Sequence, residues 1–80
     1  MSIVMREVES SQIHAIGHDP ASQTLAIQFK SKGEPGSVYH YQNFPSDEFE
    51  KFSNAESIGR HFGQHIKPHR DRYPYQQIVA

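Results

Sequence analysis

Six histidines, a cluster of late cations and three tyrosines are the residues here whose types and spacing could do chemistry. His61 and His65 stand at i, i+4, the spacing that can set two imidazoles on one metal, with His69 and Asp71 as further donors. Pro68 breaks the geometry between the pair and those donors. Phe62 also occupies the slot where a metalloprotease helix carries its general-base glutamate. The pair therefore reads as two histidines at the boundary of a buried face, and no metal or other cofactor is expected. Ser10 and Ser11, near His14, His18 and Asp19, hold the letters of a hydrolase. Strand alternation puts His14 and His18 opposite Ser11, and no nucleophile elbow is present. Gly33 and Gly36 precede no helix and lack a phosphate-loop pattern. The sequence reads as a binding module and not as an enzyme.

The charges give that module a direction. Residues 1–56 hold Arg6, Lys30, Lys32 and Lys51 against eight acids, whereas residues 57–80 hold Arg60, Lys67, Arg70 and Arg72 against Asp71 alone. The net charge of −1 thus hides a basic carboxyl-terminal third, to which His61, His65 and His69 add charge below pH ~6.5. On an α-helix Arg60 and Lys67 fall on one side, opposite Ile58, Phe62 and Ile66, with Arg70 and Arg72 following past Pro68. A basic ridge of this kind suits RNA or another polyanion. Tyr39 and Tyr41 share one face of a strand, with Val38 and His40 on the other. They either pack under the helices or form a stacking platform for unpaired bases, with Tyr73 as a third ring.

The elements that must position these groups are read from periodicity. Thr24 to Lys30 alternates, with Leu25, Ile27 and Phe29 on one face, as a half-buried strand does. The Ile-rich segment from Ser11 to His18 and the segment Val38–Gln42 make two more strands. Residues 31–37, with two glycines and a proline, read as a loop. Ser46 is placed to cap a short helix carrying Phe49 and Phe52. Ser53 and Glu56 have the capping-box spacing for a second helix that runs to Pro68 with Ala55, Ile58, Phe62 and Ile66 on one arc, and Gly59 and Gly63 at its edge allow close approach. His69 to Ala80 is a tail packed back on the core or an added edge strand. The expected architecture is α+β: an antiparallel meander of about three strands, then two helices on one face and an extended carboxyl-terminal tail.

Eighty residues, 35% of them hydrophobic, fit one domain over residues 1–80 with a core at about 6–75. The chain has no cysteine, so neither a disulfide framework nor a cysteine nucleophile is available. No apolar run exceeds three residues, which leaves nothing to cross a membrane as a helix. The expected setting is the cytoplasm.

Four stretches taken in order resemble the KTSC family: Val8-x-Ser10-Ser11-x-Ile13-x-x-Ile16-Gly17-His18-Asp19, Leu25-x-Ile27-x-Phe29, Tyr39-x-Tyr41-x-x-Phe44-Pro45, and Ala55-x-Ser57-x-Gly59-x-x-Phe62-x-x-x-Ile66. The resemblance spans roughly residues 6–75 and departs from the pattern at His18, in loop 31–37 and in the basic tail. That family is named for an extension of some lysyl-tRNA synthetases and also occurs as small free-standing bacterial and phage-type proteins. The resemblance implies a module of no established activity for which RNA binding is the leading expectation. Arg60, Lys67, Arg70 and Arg72 would then contact phosphates, and Tyr39, Tyr41 and Tyr73 would supply stacking. The alternative is a protein–protein interaction or accessory domain.

Overall fold

The computed structural model describes residues 3–32, 34–69 and 71–78. Its framework is a five-stranded antiparallel sheet in sequence order: β1 (Met5–Glu7), β2 (Ile13–Asp19), β3 (Thr24–Ser31), β4 (Glu34–Tyr41) and β5 (Tyr75–Ile78). This corrects the expected three strands. The three in the middle follow the hydrophobic alternation, and the two at the edges do not announce themselves. β1 is three residues long and carries Arg6 and Glu7, while all four residues of β5 are exposed. Both are recruited by the open hydrogen-bonding edges of β2 and β4 and not by an apolar face of their own.

Register fixes what faces the helices. Ile27 lies between Ile16 and Tyr39, and Leu25 between His18 and Tyr41, so these residues share one face. Leu25, Ile27, Ile13 and Ile16 are fully buried there. The opposite face carries Ala15, Gly17 and Ala26 at its centre. A Cβ at Gly17 would overlap the Val4 carbonyl oxygen and the Met5 side chain, so glycine is what lets β1 lie against β2.

Residues 31–37 are a second correction. Ser31 pairs with Glu34 and Lys30 with Pro35, leaving a tight connection in which Lys32 takes φ 53°. Most of the glycine- and proline-rich stretch is therefore strand. β5 pairs only with Val38–Tyr41, so Pro35 and Gly36 sit on a length of β4 with a single neighbour, where a missing N–H costs little.

Between β4 and β5 the chain turns helical. Helix α1 (Ser46–Ser53) has Pro45 and not Ser46 at its N-cap, with Asp47 and Glu48 in the first turn, where acids favour the helix dipole. Phe52 is fully buried, and Phe49 stacks on His18 with ring centroids 5.0 Å apart. Ser53 does not open the next helix. Its hydroxyl donates to the Glu50 carbonyl at 3.2 Å, as the Asn54 amide does at 2.9 Å, and together they close α1. Helix α2 (Ile58–His61) starts instead at Ser57, whose Oγ accepts the Arg60 N–H at 3.3 Å. The backbone then widens into a π-helical segment, Phe62–Ile66, closed by the Lys67 N–H on the Phe62 carbonyl at 2.9 Å. Ile58, Phe62 and Ile66 are all buried against the sheet face, as their spacing predicts. Of the two helical glycines, Gly59 faces the Ser10 hydroxyl closely, whereas Gly63 looks into open space and serves no close approach. No helix among the described residues is long and apolar enough to cross a membrane.

Candidate functional site

Where β3, β4 and β5 pass beneath the π-helical segment, five aromatic rings close into a loop of contacts. Phe29 meets Tyr39 and Phe62, with centroids 5.6 and 5.3 Å apart. Tyr75 meets Tyr39 and Tyr41 at 5.8 and 5.3 Å, and Tyr41 meets Phe62 at 5.9 Å. Most of these pairs are edge-to-face, the arrangement that the ring quadrupoles favour. Above this cluster opens a groove of about 450 Å³, lined also by Lys30, Ser31, Ser37, Lys67 and Tyr73. Among the described residues its lining includes two lysines and no aspartate or glutamate.

The tyrosines expected from sequence are therefore brought together, but not as an open platform. Tyr39 and Tyr41 lie on the helix-covered face; Tyr41 is 6% exposed and Tyr73 3%, and Tyr39 is half-buried. They act as floor and wall. Tyr75, 46% exposed, offers the largest open ring surface, and the sequence reading passed over it. The signal was present in Tyr73-Pro74-Tyr75: once β5 pairs with β4, Tyr75 comes opposite Tyr41 on the same face. Lys30 was likewise missed, because strand alternation alone does not show that it reaches the groove. Ser37 is held in place, its Oγ accepting from Gln77 Nε2 at 3.1 Å.

The expected cationic ridge is divided. Lys67 lines the aromatic groove, whereas Arg60 lines two other hollows shared with Glu56, one of which also includes Glu9. The wide turn at Phe62–Ile66 is the cause, because it takes Lys67 off the line that a continuous α-helix would give it. Arg72 is exposed, its guanidinium carbon 5.5 Å from the centre of the Tyr73 ring, a cation–π distance. Arg70 lies outside the described residues. Among the described residues no carboxylate forms a salt bridge with Arg60, Lys67 or Arg72; Glu7 pairs with His14 at 3.4 Å and Glu48 with Lys51 at 3.6 Å.

His61 and His65 do come together, with ring centroids 4.6 Å apart, and His61 also faces Phe52 at 5.5 Å. Burial, the neighbouring His65 and Lys51 hold the His61 pKa below its ordinary value, against an opposing pull from Glu48. Burial lowers His40 as well, on the face of the sheet away from the helices. Of the two serines weighed as nucleophiles, Ser10 is engaged with backbone: its Oγ accepts the N–H groups of Gln12 and Ile13 at 3.2 and 3.3 Å.

The model of the KTSC domain family matches residues 9–73, covering the whole sheet face and helical layer just described except the two edge strands. This chain belongs to the KTSC domain family. A crystal structure of a KTSC domain protein from Yersinia pestis shares the fold at a TM-score of 0.82 and 32% identity, over 98% of this chain and all of that one. An uncharacterised protein from Stutzerimonas stutzeri is 36% identical over 66 residues, 82% of this chain and 87% of that protein. The same KTSC domain is also similar to part of a lysine–tRNA ligase from a Nostoc species, 36% identical over 70 residues, which are 88% of this chain but 11% of the ligase.

Proposed function

We propose that this KTSC domain binds single-stranded RNA, or another unpaired nucleic-acid strand, as a binding module without catalysis. The observation that carries the reading is the groove itself: exposed Tyr75 and half-buried Tyr39 beside Lys30 and Lys67, with no aspartate or glutamate in its lining among the described residues. Unpaired bases stack on aromatic rings whatever their sequence, and lysines neutralise the phosphates between them. Similarity to a segment of a lysine–tRNA ligase supports the same direction, since that protein's substrate is an RNA.

Titrating a fluorescein-labelled single-stranded oligonucleotide at rising salt tests this reading. Two phosphate contacts, from Lys30 and Lys67, give a log–log slope of about −1.4, and a third from Arg72 brings it to about −2. No binding at low salt, or binding indifferent to salt, overturns it.

A second reading rests on a different feature. β5 is a sheet edge without a charged residue, and it leaves Tyr75 and Ile78 exposed, which suits a protein partner that adds a strand. Retention of a partner after nuclease treatment, lost when Gln77 is replaced by proline, favours that alternative.

A further inference from the structure

We infer that the groove accepts one unpaired nucleobase, together with a single adjoining phosphate at Lys67, so that a mononucleotide is its smallest complete ligand. The inference rests on the nucleic-acid reading above and narrows it.

Three features limit the site to one base. Tyr41 and Tyr73 are buried, so their ring faces are already covered by protein, and the open aromatic surface is that of Tyr75 and the half-buried Tyr39. Those two rings meet at an interplanar angle of 63° and a centroid distance of 5.8 Å. A flat base laid on Tyr75 therefore meets the second ring at an angle and not as a parallel face, so no second base can stack alongside it. The groove volume of about 450 Å³ falls in the range of ~300–1,000 Å³ typical of small-molecule sites, not of a channel that tracks a strand.

The polar groups at the groove match the two ends of a nucleotide. Ser31 and Ser37 offer hydroxyls within the lining, and Ser37 is fixed by its bond from Gln77, so a base edge meets a preset partner. Lys67 stands exposed at the end of the π-helical segment, placed to reach a phosphate that remains in water. Among the described residues no aspartate or glutamate lines the groove, so an anion entering beside the tyrosines meets no acidic side chain of theirs there. Apolar walls, hydroxyls and the exposed ammonium of Lys67 together favour an aromatic anion over either a bare phosphate or a neutral ring.

Competition against a labelled ten-nucleotide strand tests the inference, using the full chain with adenosine 5′-monophosphate, ribose 5-phosphate and unlabelled strands of two and eight nucleotides. The mononucleotide should displace the probe completely, and ribose 5-phosphate at the same concentration should not. Tyr75→Ala should weaken both mononucleotide and strand by about 5- to 150-fold, the loss of one stacked base. Tyr75→Phe should keep most of the affinity, and Lys67→Gln should weaken the mononucleotide more than it weakens adenosine. If the strand binds but the mononucleotide fails to compete, or if Tyr75→Ala leaves strand affinity unchanged, the single-base site is wrong while nucleic-acid binding stands. Equal competition by ribose 5-phosphate also overturns it, because the site is then a phosphate site. If the strand itself does not bind to the native protein, both readings fall.

Discussion

Arg60 and Lys67 belong to one helical stretch, and a straight helix would set both on one solvent-facing side, yet they end in unlike surroundings. Arg60 stands in a polar corner with Glu9 and Glu56 nearby and with serine hydroxyls already bonded to backbone N–H groups. Lys67 stands at an aromatic groove with a second lysine and, among the described residues, no aspartate or glutamate. Equal charge therefore carries unequal meaning. At Arg60 the neighbouring acids reduce the local potential, and among the described residues neither hollow it lines holds a phenylalanine or tyrosine ring. At Lys67 the ring cluster supplies apolar contact, and among the described residues no carboxylate pairs with its ammonium. One wide turn, Phe62–Ile66, separates the two environments.

Changes at Phe62 should strain this contrast most. Its ring is buried where the wide turn begins and touches both Phe29 and Tyr41, so Phe62→Ala should cost about 3–5 kcal/mol and open the groove wall. Urea denaturation checks the stability, and retained oligonucleotide affinity in the folded variant would show that the groove is not the binding site. Charge reversal sharpens the comparison next. An exposed unit charge at 4 Å is worth about 1 kcal/mol in water, and reversal changes two units, so Lys67→Glu should weaken strand binding about tenfold or more. Arg60→Glu should change it less than about threefold by the same estimate, since its neighbours are already acidic. Equal losses at both positions would restore a single ridge and remove the distinction drawn between them.

Protonation gives a smaller effect. His40 and His61 both have pKa values lowered below the ordinary 6.5, so the unfolded chain takes up protons first. Their contribution to stability is present above about pH 6.5 and is lost as the pH falls towards the folded-state values. The melting temperature should therefore drop between pH 7.5 and 5.5, and His61→Gln should flatten that drop. His61 is not in the groove lining, so strand affinity should not follow its protonation. The smallest change concerns glycine: Gly63→Ala meets open space in a helical segment and should stabilise by up to about 1 kcal/mol, whereas Gly17→Ala should destabilise by displacing β1. Differential scanning calorimetry of the two variants separates these signs.

Much of the sheet was legible because apolar residues alternate along β3 and recur in β2 and β4, and Leu25, Ile27, Tyr39 and Tyr41 do face one side together. β1 and β5 were not, since strands of three and four residues without an apolar period bear no local mark; they exist because neighbouring strands leave edges to pair. The second helix was read from Ser53 when Ser57 caps it, because two serines four apart both precede an apolar arc and only packing decides between them. The π-helical turn left no trace, as Phe62 and Ile66 point inward under either geometry. For the site, residue type was readable at Tyr39, Tyr41, Tyr73 and Lys67, but exposure was not. Alternation assigns a face and says nothing of what lies over it. Tyr75 gained its place only through pairing with Tyr41 across an edge that the sequence did not announce.

Chemical-shift mapping tests the aromatic groove most directly, with ¹⁵N- and tyrosine-labelled protein titrated with a single-stranded oligonucleotide at low salt. The largest changes should fall on Tyr39, Tyr75, Lys67 and Lys30, with Arg60, Glu56 and Ser10 nearly still. Shifts centred on the Arg60 corner, or spread evenly over the basic residues with the Tyr75 ring unmoved, would contradict it.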